Sequence, residues 1–398
     1  MRIAFYAPLK PPDHPVPSGD RRLAQLFLAA LRLAGHQPVL ASRLRSFDGR
    51  GDRPRQDRLA ALGHRLADRA LRRWRAAPGT APELWFTYHP YHKAPDWLGP
   101  PLSTALGIPY VIAEASFAPK QAHGPWAQGH RAAEQAIRRA DAVIGLNPAD
   151  RGCVLPLLVD RSRWVAIKPF IDASRFARLP ADSLRTIGSQ GDADREDGDR
   201  AEGGRAPRLI AAAMMRSGDK LASYRILGQA LARLLDLDWV LEIVGDGTAR
   251  PEVVKALASL GRRVIWAGAL DELGVAQRLA AADLYVWPAI NEAFGVALLE
   301  AQASGLPIVA GASGGVCSIV GHEIGGLLVP PGDVAAFAAA VRQLLLDPDR
   351  RRRYGAAARR SVLAGHDLPA AASQLGAIIK ALHPADAAQI NAAQIDAA

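Results

Sequence analysis

The stretch that decides the fold is Trp287-Pro-Ala-Ile-Asn-Glu-Ala-Phe-Gly-Val-Ala-Leu-Leu-Glu300, continued by Ala301-Gln-Ala-Ser-Gly-Leu-Pro-Ile-Val309. The apolar run Leu284–Trp287 reads as a buried strand, the residues from Pro288 as a turn, Gly295–Ala303 as a helix and Ile308–Ala310 as the next strand. At such a helix start the N–H groups of Phe294, Gly295 and Val296, just after Ala293, have no partner within the helix. With the positive end of the helix dipole behind them they form a seat for a diphosphate. Gly295 lets a ligand approach the backbone closely. Glu300, one to two turns further on, and Glu292, in the turn, add carboxylates that can accept hydrogen bonds from the hydroxyls of a ligand seated there. Taken alone, two glutamates eight residues apart fit a surface carboxylate and an arginine partner just as well.

Working outward, the same alternation recurs along the second half. Leu209–Met214, Trp239–Val244, Val264–Ala267 and Leu327–Val329 read as strands, and Tyr224–Leu235, Leu273–Ala281 and Val334–Leu346 as helices. The first half starts the pattern afresh. Arg2–Ala7 is a strand, Arg21–Ala34 an amphipathic helix and Pro38–Ala41 a strand, followed by strands at Glu83–Thr87, Tyr110–Ala113 and Ala142–Leu146. Near-continuous apolar strands alternating with helices predict two parallel sheets covered on both faces. Ligands are then expected outside the carboxyl ends of the strands, in a cleft between two domains. The domains are expected at 1–181 and 208–367, joined by a polar linker at 182–207 that has almost no large apolar residue. Leu368–Leu382 is expected to pack back on the first domain as a helix, and 383–398 to fray.

With 398 residues and 49% apolar content the chain belongs to the soluble globular class. No apolar run reaches the ~18 residues of a membrane span, and the start Met1–Pro8 reads as a strand rather than a signal peptide. Two distant cysteines, Cys153 and Cys317, supply neither a disulfide framework nor a zinc site. Asp192-Ala-Asp194 lies in the acidic linker, and no metal is assigned. The expected compartment is the cytoplasm. The net charge of +10 is concentrated between Arg43 and Arg75, where eleven arginines face four aspartates. There Leu59, Leu62, Leu66, Ala70 and Trp74 recur at helical spacing. Such a basic amphipathic helix either lies on an anionic membrane surface, making the protein peripheral on the inner face of the plasma membrane, or docks on its own domain. With only Phe47 and Trp74 as aromatics and no reader motif, the stretch gives no reason to expect nucleic-acid binding.

The quoted stretch resembles the E-x7-E signature of the retaining glycosyltransferases of family 4. It has their Glu-x-Phe-Gly, their Leu-Glu-Ala and their Gly-Leu-Pro-Ile-Val strand entry. Other pieces follow in the family's order: Ile243-Val-Gly-Asp-Gly247, Trp266-Ala-Gly268, Ala282-Asp283, Gly314-Gly315, and Gly326-Leu-Leu-Val-Pro-Pro-Gly-Asp333. The match is close in the second half and loose in the first, where Pro17-Ser-Gly19 and Asp20–Gly35 look like the family's glycine-bearing loop and first helix. The resemblance implies an α/β chain of the GT-B fold, two Rossmann-like βαβ domains facing a central cleft. It also implies transfer of a hexose-type sugar from a nucleotide diphosphate-sugar, with retention and without a metal or other cofactor. Arg216 and Lys220, within Met214-Met-Arg-Ser-Gly-Asp-Lys220, match the cations that neutralise the donor diphosphate, although Met215 and Leu221 stand where glycine is more usual. The resemblance places the base near Gly268 and Ala269, the sugar at Glu292 and the donor also beside Gly19.

The acceptor, a saccharide or a lipid-linked one as in cell-envelope polysaccharide or glycolipid synthesis, is expected on the first domain. Many relatives have a histidine after the strand that corresponds to Tyr110–Ala113; this chain has Glu114-Ala-Ser116. The preceding strand ends in Tyr88-His89-Pro-Tyr-His92-Lys93. His89, His92 and Glu114 either orient hydroxyls, with His89 as the catalytic candidate, or are satisfied loop residues. Lys120, His123, Trp126 and His130 are expected in a loop beside them. Two other functions stay open: a phosphorylase or epimerase on the same fold, and a non-catalytic nucleotide-sugar-binding subunit.

Overall fold

The computed structural model describes residues 1–16, 18–176, 205–292 and 295–382. Pro17, most of the expected linker with Asp192-Ala-Asp194, Ala293, Phe294 and the tail 383–398 lie outside the described residues. The chain divides into two compact units, Met1–Lys168 with Leu368–Ala398, and Pro169–Asp367. The short segment ahead of the linker, Pro169–Phe176, therefore groups with the second unit.

The first unit is a six-stranded parallel sheet with the order β2-β1-β3-β4-β5-β6. Its strands are β1 Arg2–Tyr6, β2 Gln37–Ser42, β3 Leu84–Tyr88, β4 Tyr110–Ala113, β5 Ala142–Gly145 and β6 Trp164–Ala166. Every residue of β3, β4 and β5 is buried, which is why their sequences run apolar instead of alternating. The helices are α1 Gly19–Leu33, α2 Arg53–Ala76, α3 Gly99–Leu106, α4 Ala127–Arg139 and the short α5 Arg151–Val154. The C-terminal helix Leu368–Ala381 packs on α1 within this unit, with Gly376 against Ala34.

The second unit repeats the plan with the order β12-β11-β10-β7-β8-β9, again all parallel. Its strands are β7 Arg208–Ala212, β8 Val240–Val244, β9 Val264–Gly268, β10 Leu284–Trp287, β11 Ile308–Gly311 and β12 Gly326–Val329. Its helices are α6 Asp219–Leu231, α7 Arg250–Leu257, α8 Glu272–Ala281, α9 Val296–Ala303, α10 Val316–Ile319, α11 Val334–Leu346 and α12 Pro348–Gly365. Glu242 in the middle of β8 is fully buried and tolerated because Arg208 and Arg278 lie at 3.1 and 3.2 Å.

Several expected boundaries shift. The strand expected to run to Met214 ends at Ala212, and the helix expected from Tyr224 begins at Asp219, so Lys220 lies in a helical first turn. His130 is buried in α4 instead of lying in a loop, with its ring 4.5 Å from Phe117. In α2 the buried stripe is Gln56, Ala60, Gly63, Ala67 and Trp74. Leu59, Leu62, Leu66 and Ala70 are only half-buried along its flank. Small residues win the stripe because the helix lies very close to its support: a Cβ on Gly63 would come within 2.4 Å of Trp97. No helix among the described residues is long and apolar enough to cross a membrane.

The close approach of α6 and α7 gives a stability test. A Cβ at Gly228 would meet the carbonyl oxygen of Ala256 at 2.2 Å. Alanine is the better helix former by about 1 kcal/mol, but the overpacking costs more, typically ~1–3 kcal/mol. Gly228→Ala should therefore lower the urea midpoint; an unchanged or higher midpoint would show that the two helices can separate at little cost.

Candidate active site

In each sheet the chain reverses its direction of strand addition at one place, between β1 and β3 in the first unit and between β7 and β10 in the second. The loops leaving the two strands diverge there and open a crevice at the carboxyl edge. Both crevices are bridged by an ion pair.

In the second unit Lys220, in the first turn of α6 after β7, pairs with Glu292, in the turn after β10. The Trp287 indole N–H donates to the same carboxylate at 3.2 Å, and the Lys220 ammonium lies 5.3 Å from the centroid of the Trp287 ring. Lysine charge, carboxylate and aromatic face are thus held as one group. The turn itself is stitched to α6. The backbone N–H of Ile290 donates to Ser223 Oγ at 3.0 Å and Asn291 Nδ2 to Asp219 Oδ2 at 3.1 Å. Ala289 and Asn291 both adopt left-handed backbone, with φ of 54° and 48°. For side-chain-bearing residues this conformation costs free energy and persists only where the surroundings impose it.

Gly295 N-caps α9 with φ of 69°, and Leu298 N–H donates back to its carbonyl at 2.8 Å. The N–H groups of Gly295 and Val296 precede the first helical hydrogen bond, as a phosphate seat requires. A Cβ on Gly295 would lie 2.6 Å from Leu298, so glycine is required on both counts. Glu300 lies in the second turn of α9 and is buried. Arg216 is exposed in the loop between β7 and α6 and has no side-chain partner among the described residues. Gly268 ends β9 with φ of 70°, and its carbonyl accepts from Gly245 N–H at 2.7 Å. It and Ala269 share the carboxyl edge of the sheet, two strands from β7.

In the first unit the pair is Asp20 and His89. Asp20 lies in the first turn of α1, which Gly19 begins and Ser18 caps, and its carboxylate meets His89 Nδ1 at 2.9 Å. His89 directly follows β3 and Glu114 directly follows β4, both with left-handed backbone at φ of 58° and 59°. Sheet hydrogen bonding continues through them nonetheless. His89 N–H reaches Ala113 O and Glu114 N–H reaches Ile144 O, each at 2.8 Å. The buried Glu114 carboxylate accepts from Leu146 N–H. Burial works against protonated His89, but the hydrogen bond and charge of Asp20, aided by Glu114 and Asp150, raise its pKa above the usual value. Burial pushes Glu114 up to about 7, against the Leu146 hydrogen bond and the charge of His89. Burial also raises Asp150, although Ser116 hydrogen-bonds to it.

Among the expected donor residues, Lys220, Glu292, Gly295, Val296 and Glu300 share the β7/β10 crevice. On the acceptor side His89 and Glu114 fall in one charged cluster, and His92 stands apart from it. Asp20, Asp150, Asp219 and Trp287 join these clusters beyond the residues expected. Asp20 carried a signal, an acid next to the helix-capping Ser18-Gly19, whereas the contact with His89 depends on sheet order. Among the described residues no group of His, Cys, Asp and Glu could hold a metal ion.

Residues 212–361 match the family described as glycosyl transferases group 1. A curated relative, the 2-deoxystreptamine glucosyltransferase of Streptomyces kanamyceticus, is 35% identical over 124 residues, covering 30% of this chain and 32% of its own. The chain thus spans about a third of the length of the first curated relatives it matches. Among solved structures, sucrose-phosphate synthase of Thermosynechococcus elongatus superposes with a TM-score of 0.72 at 22% identity, over 96% of this chain and 99% of that one. Anabaena Alr3699/HepE in complex with UDP gives 0.70 at 17% identity, over 94% and 98%. At these identities the likeness is one of fold, and the fold is the two-domain α/β GT-B fold of glycosyltransferases.

The first-unit cluster makes stability depend on pH. Folded Glu114 keeps its proton up to about 7, against an ordinary value of 4.5, so across that window the folded state binds more protons and stability falls as pH rises. His89 acts in the same direction, since its contribution is complete below its ordinary value and is lost as pH rises through the raised one. The Glu114 part is at most about 3 kcal/mol. Urea unfolding between about pH 5 and about pH 8 should show this decline, and Glu114→Gln should remove most of it; an unchanged slope would take the titration away from Glu114.

Proposed function

We propose that the chain transfers a hexose-type sugar from a nucleoside diphosphate donor to an acceptor hydroxyl, with retention, its second unit taking the donor and its first the acceptor. The observation that carries this reading is the Lys220–Glu292–Trp287 group beside the amino end of α9. A departing nucleoside diphosphate gains negative charge as the C1–oxygen bond breaks. Fixed positive groups stabilise that gain and need no reorganisation. Lys220, Arg216 and the N–H groups at Gly295 supply them. Glu292, oriented by Trp287, holds the sugar hydroxyls, and Glu300 the ribose.

In this reading the acceptor oxygen bonds to C1 on the face the diphosphate leaves, and the acceptor proton passes to the departing phosphate oxygen. The step needs positioning more than a separate strong base. The reaction runs without a metal. UDP-type donors are the first to try, because Anabaena Alr3699/HepE, which shares the fold, was crystallised with UDP. His89, fixed by Asp20, orients the acceptor or the sugar in the first unit. Acceptors of cell-envelope polysaccharide or glycolipid synthesis suit the basic α2, whose exposed arginines would rest on an anionic membrane surface.

Lys220→Ala is expected to lower transfer by ~10²–10³-fold, the usual cost of losing one preorganised donor to developing charge. Thermal stabilisation by a nucleoside diphosphate should weaken in parallel. An unchanged rate would refute the diphosphate assignment.

A further inference from the structure

A row of rings leads away from the Asp20–His89 pair. His89 stacks on Tyr91 at 5.4 Å and 27°, Tyr91 meets His92 edge-on at 5.2 Å, and His92 meets Trp126 at 6.0 Å. Tyr91, His92 and Trp126 are each half-buried, so the row is fixed from beneath and open on one side. Trp126 is held by its indole N–H, which donates to Asp48 O at 2.8 Å. Beneath the row, Gly129 in the first turn of α4 lies so close that a Cβ would meet His92 O at 2.1 Å.

The far end of this row is positively charged. Lys93 lies over Trp126, with Nζ 4.4 Å from the ring centroid. Burial and then the charges of Lys93, His130 and Lys120 drive the His92 pKa down to about 4. Among the described residues neither Lys93 nor Lys120 has a carboxylate partner. The nearby acid, Asp48, is occupied by Gln56 Nε2 at 2.8 Å and by the N–H groups of Arg50 and Asp52. The buried Nε2 of His130 has no hydrogen-bond partner. The amino end of α4 adds its dipole to these cations. Aromatic faces ending in uncompensated cations suit a ring-bearing ligand with an anionic group attached.

We propose that this row is the acceptor seat and that the natural acceptor carries an anionic group, phosphate or carboxylate, seated between Lys93 and Lys120. The inference rests on the glycosyltransferase reading only in calling the ligand an acceptor. The anion preference is a property of the first unit, and it can fail while donor binding stands.

The test is calorimetric titration of the full chain with D-glucose, D-glucuronate and D-glucose 6-phosphate, in saturating UDP so that a phosphate seat in the second unit is filled. At least one charged probe should bind about tenfold tighter than glucose, and added salt should erode the difference. The double variant Lys93→Gln, Lys120→Gln should lose the preference while keeping its thermal stabilisation by UDP, which shows that it is folded. Equal affinities, no binding of either charged probe, or a preference that survives in the double variant would each overturn the proposal. If UDP fails to stabilise the parent chain, the donor assignment falls instead, and the comparison of probes is read without UDP.

Discussion

Parallel strand pairing is the constraint on which the rest of this molecule depends. A parallel pair cannot be closed by a tight hairpin, so each strand is followed by a crossover that returns over a sheet face. All loops of one kind then gather at one edge. At the point where strand addition changes direction, two neighbouring loops leave towards opposite faces. Here those points are β1/β3 and β7/β10, and at each of them residues far apart in sequence form an ion pair, Asp20 with His89 and Lys220 with Glu292.

The same edge concentrates backbone strain. Four of the side-chain-bearing residues with left-handed φ follow β3, β4 and β10: His89, Glu114, Ala289 and Asn291. Each turns the chain sharply at a strand end while its neighbours stay in the ladder or in a stitched turn. The surrounding hydrogen bonds, such as His89 to Ala113 and Ile290 to Ser223, hold these conformations in place. Rigid sheets thereby fix the polar side chains at the edge. The buried Glu114, with its carboxylate on Leu146 N–H, is one outcome of that rigidity.

The two units use similar topology for different electrostatics. The crevice of the second unit joins one lysine to one glutamate, with Arg216 exposed in the loop ahead of Lys220. The crevice of the first unit gathers three acids around His89, and its excess of cations is displaced along the ring row to Lys93 and Lys120. The two crevices therefore differ in charge pattern although the strand order around them is alike.

Much of this was legible in the order of residues alone. Apolar runs such as Tyr110–Ala113 and Leu284–Trp287 match their strands to the residue, because strands buried on both faces must be apolar throughout. Gly295 and the residues before α9 announced a helix start, because glycine and capping chemistry act locally. Pairings between distant residues were not legible in this way. Nothing in Asp20 names His89, and nothing in Trp287 says that its indole and Lys220 share one carboxylate. The stripe of α2 that docks through Gln56, Ala60 and Gly63 was likewise hidden by the more conspicuous leucines on its flank. Local sequence determined where strands, turns and helix ends fall, since these depend on periodicity and backbone freedom within a few residues. Only the tertiary structure decided which charges meet and which cations stay unpaired, because those contacts depend on strand order and on packing distances set by the whole sheet.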